Sequence, residues 1–435
     1  MDTAMVGLIG IGCLFLLMFA NVHLGFAMGM VGFLGCTYIL GWEGALGMVQ
    51  HIPYTAAGSS TMSVIPLFLL MGQFAFHSGM VEEFYYNMHR WLGHLRGGLA
   101  MATFGACAGF AAICGTSLAV SSTMTKVALP QMLRFKYSPK LATGAIASGG
   151  TLGILIPPSL AFVIYGVITD TSIGKLFVAG IIPGIMLAGM FCLTVFVWTA
   201  RKPDLAPPGP RYSWHERLQA AKGGWEIFLL FLLVVGGIWG GFFTPTEAAA
   251  VGAFAAFLIA LLKRRLTRQN LFPALMDTVR ATGMIFAIVI GAMLFNFFMG
   301  VSKLPQALSS FISTLPVSPL VVLLFVIFIF LILGCLMDTI AMALLAIPVV
   351  YPTIKNLGYD PVWFGVICTI MSEVGQVTPP VGISVFVVAG MAKDIPMYTV
   401  FRGIAPFLLA YAAVVVLLIA FPQIALFLPG IMKGQ

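Results

Sequence analysis

Ser148-Gly149-Gly150-Thr151-Leu152-Gly153-Ile154-Leu155-Ile156-Pro157-Pro158-Ser159 and Ser372-Glu373-Val374-Gly375-Gln376-Val377-Thr378-Pro379-Pro380-Val381-Gly382 are stretches of helical length in apolar surroundings, and each carries an adjacent proline pair. A proline pair removes two amide donors, and its rings clash with the carbonyls four residues earlier. Those carbonyls belong to Gly153 and Ile154, and to Gly375 and Gln376. A helix has to break at each pair. In lipid, backbone groups freed by a break are tolerated only where protein, water or ions satisfy them.

The solvent around these breaks follows from composition. Of 435 residues, 60% are apolar and 8% are charged, against about a quarter charged in an ordinary soluble domain. A water-soluble surface cannot be built from so few charges. The apolar runs are continuous rather than alternating, which excludes a transmembrane barrel. The fold class is an all-α polytopic membrane protein, with about 10 to 11 transmembrane helices at roughly 20 residues each. Crossing helices are expected at 3–20, 22–41, 62–79, 140–170, 173–200, 225–243, 245–262, 277–300, 361–392 and 396–429. Segments 98–134 and 317–354 are interrupted at their centres by small polar residues and read as re-entrant hairpins. Segments 43–60 and 80–96 are mixed in polarity and are expected along the membrane interface. The seven cysteines are scattered singly through apolar runs and read as buried, inert thiols.

The net charge of +8 is concentrated in four places: Arg90 and Arg96; Lys126, Arg134, Lys136 and Lys140; Arg201 to Lys222; and Lys263, Arg264, Arg265 and Arg268. The positive-inside rule puts all four in the cytoplasm. The 201–222 segment, with four prolines, reads as a cytoplasmic linker that divides the chain into halves.

The halves repeat one another. A shift of 222 residues places Pro130 on Pro352, Pro139 on Pro361, Pro157-Pro158 on Pro379-Pro380, Gly153 on Gly375 and Tyr137 on Tyr359. With one insertion, Pro183 falls on Pro406. Residues 126–140 hold four basic groups and no acid, whereas 348–362 hold Lys355 and Asp360. The copies are therefore expected to face opposite sides, as in transporters built on inverted repeats. The expected organisation is N-terminal scaffold helices at 1–60, a first repeat at 61–200, the linker at 201–222, a scaffold helix pair at 223–276, and a second repeat at 277–435.

Chemistry is expected where broken helices and hairpin tips meet at mid-membrane depth. The first tip is Cys114-Gly115-Thr116-Ser117, and its counterpart is Met337-Asp338-Thr339. A carboxylate at the bilayer centre costs about 2.5–3.5 kcal/mol on insertion scales, so Asp338 has to face an interior site. Break points offer carbonyl oxygens to a cation and helix N-termini to an anion. Candidate Na⁺ ligands are Gly115, Thr116, Ser117, Gly149, Gly150, Gly153, Pro157, Asp338, Thr339, Ser372, Gly375 and Thr378. Candidate substrate contacts are Ser117, Ser159, Thr339 and Gly382. The hydroxyl and carbonyl oxygens favour sodium, while Asp338, Glu373 and Glu247 keep protons in contention. Each charge moved across 100 mV is worth about 2.3 kcal/mol, so two Na⁺ carried with a monoanion would be drawn into a negative cell.

Gly153-Ile154-Leu155-Ile156-Pro157-Pro158-Ser159, Thr378-Pro379-Pro380-Val381-Gly382 and Thr244-Pro245-Thr246-Glu247-Ala248 carry a resemblance, as do Ile65-Pro66-Leu67-Phe68 and Gly97-Gly98-Leu99-Ala100. The chain resembles, over nearly its whole length, the large membrane subunit of tripartite ATP-independent periplasmic (TRAP) transporters, the DctM family. The resemblance implies an elevator-type transporter of the bacterial inner membrane, in which a scaffold holds a mobile domain with the hairpins and broken helices. It implies Na⁺-driven import of an acidic organic solute, carboxylate or sialic-acid-like, delivered by a soluble periplasmic binding protein. It implies a small four-helix membrane subunit. No additional hydrophobic block precedes the first helices, so that subunit is expected as a separate chain. Many relatives have Ser-Gly-Ser where this chain has Cys114-Gly115-Thr116-Ser117. Glu247 sits in a helix first turn, where its charge suits the helix dipole.

Other classes fit less well. An intramembrane serine protease built on Ser117 needs a general base at membrane depth, and none of the six histidines follows the linker. A stand-alone Na⁺- or H⁺-coupled dicarboxylate carrier or an ion antiporter of inverted-repeat type is the nearer rival. A channel needs a continuous polar lining rather than two enclosed breaks. Gly174-Lys175-Leu176 lacks the spacing of a phosphate-binding loop, and no organic cofactor pattern occurs. Cysteines placed at positions 136 and 358 are expected to label from opposite faces of the membrane. Labelling of both from one face would overturn the inversion.

Overall fold

Proline and glycine, more than polar loops, divide this chain into helices. The computed structural model describes residues 2–314 and 316–432. Residue 1 of the expected 1–60 segment, and residues 315 and 433–435 of the expected 277–435 segment, lie outside the described residues. α1 (Thr3–Phe19) precedes α2 (Leu24–Gly58), which bends at Gly41. There φ is +81°, open to glycine and costly to other residues. The bend falls where the sequence separates the crossing helix 22–41 from the stretch 43–60. α3 (Val64–His77) and α4 (Met80–Leu92) meet at an angle of 65°.

α5 (Gly98–Cys114) and α6 (Ser117–Arg134) reverse direction at Gly115-Thr116. The Thr103 hydroxyl reaches the Met132 sulfur at 3.8 Å across the pair, and the Leu99 amide donates to the Tyr137 hydroxyl at its base. The 98–134 segment is thus a hairpin. α7 (Pro139–Gly150) and α8 (Leu152–Leu155) end before the first proline pair, and α9 (Leu160–Thr169) resumes beyond it at 42°. α10 (Ile173–Arg201) follows.

The linker is not without structure. Ser213 and Glu216 form a reciprocal capping box on α11 (Trp214–Ala221). The bonds from the Ser213 amide and hydroxyl hold the Glu216 carboxyl below the ordinary carboxylate range. α12 (Trp225–Phe231) runs through a π-turn at Leu232–Gly236 into α13 (Gly237–Trp239). α14 (Pro245–Leu262) starts with a second capping box, Thr244 with Glu247. Glu247 is therefore held by helix chemistry, as its motif implies.

α15 (Arg268–Ser302) begins nine residues before the expected 277, because the polar turn around Asp277 is helical as well. α16 (Leu304–Thr314) was not expected from the sequence. α17 (Pro319–Leu336) and α18 (Thr339–Asn356) form the second hairpin segment, and α19 (Pro361–Val377) and α20 (Ile383–Met391) flank the second proline pair. The single helix expected at 396–429 is two, α21 (Met397–Ala420) and α22 (Gln423–Gly430). Pro422 separates them, as a ring that cannot continue a helix must.

The 222-residue offset holds at the level of elements. Ser117–Arg134 maps onto Thr339–Asn356, and Pro139–Leu155 onto Pro361–Val377. Both proline pairs are cis. Lys136 and Gly358 both take left-handed backbone, with φ of +58° and +82°. Among the described residues, seven helices are long and apolar enough to cross a membrane, and three bent pairs bring the number to ten.

The two copies meet where α7 crosses α21 at Gly144 and Gly403, and within the second copy α17 crosses α19 at Gly334 and Gly375. A Cβ on Gly375 would lie 2.5 Å from the Gly334 backbone. α2, α3, α14 and α15 pack on one another beside them. At one end of that group a buried ion cluster ties three elements. Glu83 of α4 pairs with Arg265 and, at 3.1 Å, with Lys263, which also pairs with the fully buried Glu226 of α12.

Lys263→Met is expected to cost about 3–5 kcal/mol, the usual effect of leaving a buried charge unpaired. Thermal unfolding in detergent measures it, and adding Glu226→Leu should recover most of the loss. A single variant as stable as the parent would show that the pair holds nothing.

Candidate functional site

The two hairpin tips converge on one carboxylate. Ser117, the first residue of α6, donates from Oγ to Glu373 Oε2 at 2.7 Å. Thr339, the first residue of α18, donates from Oγ1 to Glu373 Oε1 at 2.7 Å. Gln376, one turn further along α19, adds its Nε2 to Oε1 at 3.2 Å and also reaches Thr339 Oγ1. Ser384 of α20 closes the chain on Gln376 Oε1 at 3.4 Å. Glu373 is 1% exposed and Ser117 2%. Three neutral donors from three segments supply the bonds to its two oxygens.

Each tip turns by different local chemistry. Gly115 takes φ of +67°, and a Cβ there would meet the Pro158 carbonyl at 2.8 Å. Its own carbonyl accepts from the Leu160 amide at 3.3 Å, so the first tip is fastened to the first broken helix. The second tip has no such glycine. Asp338 caps α18 instead, accepting from the Ala341 amide at 3.0 Å. A short polar side chain at that position satisfies a donor the helix leaves free.

A cavity of about 230 Å³ lies against the tips. Thr116, Ser117, Asp338, Thr339 and Gln376 line one wall. The opposite wall is α15, through Ala281, Met284, Ile285 and Ile288, with Leu69 and Gln73 of α3. None of its lining residues is Lys, Arg or His. The N-termini of α6 and α18 both begin at this cavity, where helix ends present partial positive charge beside Asp338.

Of the sequence-derived candidates, Thr116, Ser117, Asp338 and Thr339 come together here. Gly115 and Gly153 lie just behind, Gly153 packed on the Thr116 carbonyl and Ser117. Gly149 faces Phe104 and Cys107, and Gly150 faces Ser121, where they permit α7 to approach the first hairpin. Pro157 and Ser159 are buried in the first break, and the Ser159 hydroxyl accepts from the Phe162 amide. Ser372 and Thr378 turn their hydroxyls back to carbonyls of α19, those of Thr369 and Val374. Gly375 meets the second hairpin at Gly334, and Gly382 takes φ of +66° before α20. Ser159 and Gly382, expected at the substrate, do not line this cavity. Glu373 as the hub, with Gln376 and Gln73, was not among the ligand candidates. Its sequence signal was a lone acid in an apolar run five residues before the second proline pair's break.

Residues 11–424 match the family described as "Tripartite ATP-independent periplasmic transporter, DctM component". The chain belongs to the DctM family. The C4-dicarboxylate TRAP transporter large permease protein DctM of Pseudomonas aeruginosa is 35% identical, over 90% of this chain and 93% of its own length. The sialic acid TRAP transporter large permease protein SiaM of Vibrio cholerae is 32% identical, over 96% and 97%. The ectoine/5-hydroxyectoine TRAP transporter large permease protein UehC of Ruegeria pomeroyi is 34% identical, over 85% and 86%. The fold is shared with the Alcanivorax borkumensis YdaH transporter, described as having an unusual topology, at a TM-score of 0.65 and 15% identity, over 88% of this chain and 90% of that one. This DctM-family chain is therefore a large permease subunit of a TRAP transporter and a multi-pass protein of the bacterial inner membrane.

Removing the hub should be felt in the fold. Glu373→Leu leaves the donors of Ser117 and Thr339 without an acceptor and Gln376 with Thr339 alone, at about 1–3 kcal/mol for each group stranded. Thermal unfolding in detergent is expected to show a clear drop. An unchanged midpoint would mean that the tips are held by something else.

Proposed function

We propose that this large permease imports an acidic organic solute by Na⁺ symport, with the hairpin tips and broken helices moving as one body against α2, α3, α14 and α15. The observation that carries this reading is the cavity wall on which Thr116, Ser117, Asp338 and Thr339 meet. Hydroxyl, carboxylate and carbonyl oxygens suit a hard cation, and Asp338 brings a negative charge that a bound Na⁺ offsets. The helix N-termini of α6 and α18 then favour a carboxylate beside it. With Asp338 on its wall and no basic side chain, the cavity binds an anion better once a cation offsets the aspartate, which favours coupling.

The relatives named for C4-dicarboxylates and sialic acid support an acidic solute. The isethionate permease DctMQ of Oleidesulfovibrio alaskensis is 28% identical over 97% of this chain, and the match spans 66% of that relative. We place the small four-helix membrane subunit on a separate chain beside this one, and a periplasmic binding protein as the donor of solute. The wall between the tips and α15 is apolar on the α15 side, and such a surface can slide without breaking hydrogen bonds.

Reconstitution in liposomes with the binding protein and the small subunit tests the reading. Uptake of an acidic solute should require an inward Na⁺ gradient and the binding protein. Uptake by the isolated chain alone would favour a stand-alone carrier. Asp338→Asn should fold, because asparagine caps a helix as well as aspartate does, yet lose most Na⁺-dependent uptake. Wild-type sodium dependence in that variant would remove Asp338 from the cation site.

A further inference from the structure

The cation and solute reading leaves unused a second polar cavity, of about 720 Å³, at the end of the molecule that carries the basic loops. It opens between α4, the lower part of α6 and the linker helix α11. Three residues of one α4 stretch line it, and each has a buried polar atom without a hydrogen-bond partner: Asn87 Oδ1, His89 Nε2 and Arg90 Nε. Asn87 and His89 are 5% and 4% exposed. Buried polar groups in folded proteins almost always have partners, because leaving one without costs free energy. Three together beside one cavity mark a place shaped for a ligand.

The charges state its chemistry. Glu83 is taken up by Arg265 and Lys263. That leaves Arg90 and Lys126 at the cavity with Glu82; Glu216 of α11 stands near Arg90, while Lys126 makes no ion pair among the described residues. Arg90 lies against the faces of Tyr86 and Tyr212 and is held at the rim. The groups call for an anion with several acceptor oxygens, plus a donor to meet Asn87 Oδ1 and Glu82. Beside the cavity Trp91 and Trp214 form an edge-to-face pair at 6.3 Å, and α11 exposes Trp214 and Leu218. Aromatic rings and an amphipathic helix at a basic rim are features of the headgroup level of a membrane.

We propose that this cavity binds a phosphate ester bearing a hydroxyl or amine, with Lys126 and Arg90 on the phosphate and Asn87 and Glu82 on the donor. Lys126 belongs to the first hairpin, whereas Asn87 and Arg90 belong to α4. A ligand here bridges the base of the hairpin whose tip holds Ser117 to a neighbouring helix.

Native mass spectrometry of the delipidated full chain tests this, with phosphatidylethanolamine and phosphatidylglycerol as probes and glycerol 3-phosphate as competitor. The parent and Lys126→Arg should retain phospholipid. Lys126→Gln should retain about fivefold less, the usual effect of one basic group near a headgroup, and Lys126→Glu less again. Lys303→Gln, remote from the cavity, should match the parent, and circular dichroism of each variant confirms folding. Displacement by glycerol 3-phosphate at matched concentration supports the phosphate ester and assigns a soluble source. Lys126-dependent lipid that resists displacement supports it and assigns a lipid headgroup. Equal lipid retention by Lys126→Glu and the parent, or retention of neither probe, overturns the proposal.

Discussion

A carboxylate deep inside a membrane protein must find donors, and Glu373 finds them on both chain reversals. That requirement organises the centre of the molecule. Ser117 and Thr339 stand 222 residues apart and open corresponding helices, yet they bond the two oxygens of the same side chain. In water each bond would be worth little. Where solvent is excluded, the penalty for an unmet acceptor makes the arrangement hard to rearrange piecemeal. The two hairpins are thereby tied to α19 and, through Gln376 and Ser384, to α20.

Around this hub the backbone problem is solved differently in each copy. The first reversal uses a glycine and a main-chain bond to the broken helix, whereas the second uses a side-chain cap. The first proline pair is buried and the second is exposed. The copies share a path but not an environment. The wall facing them, on α15, carries only apolar side chains at the cavity, so the polar and apolar sides meet at a boundary without cross-links.

Much of this was legible in the sequence because breaks in helices are local events. Proline pairs, the glycine at 115 and the helix start before Glu247 act within a few residues, and their positions read directly; the capping box at Ser213, inside what reads as a linker, did not. Asp338 and Thr339 could be placed at a tip because an acid in an apolar run is expensive. What could not be read is which distant groups meet. Glu373 carries the same sequence signal as Asp338, and only the packing of α19 between the tips distinguishes hub from cap. The glycines at 149, 150, 153 and 375 looked like carbonyl donors at a break, and three-dimensional contact shows them also as points of close helix approach. The split at Pro422 was readable, but hydropathy alone ran through it. α16 is amphipathic and short, and it carries no signal strong enough to separate it from a loop.

The corresponding positions Lys136 and Gly358 adopt the same left-handed backbone, yet one carries a long cationic side chain and the other has none. A lysine in that conformation is held at some conformational cost, of order 1 kcal/mol relative to glycine. Its companions Arg134 and Lys140 complete a cluster of positive charge at this bend that the second copy lacks. At such a bend, charge is kept where the main chain would favour glycine.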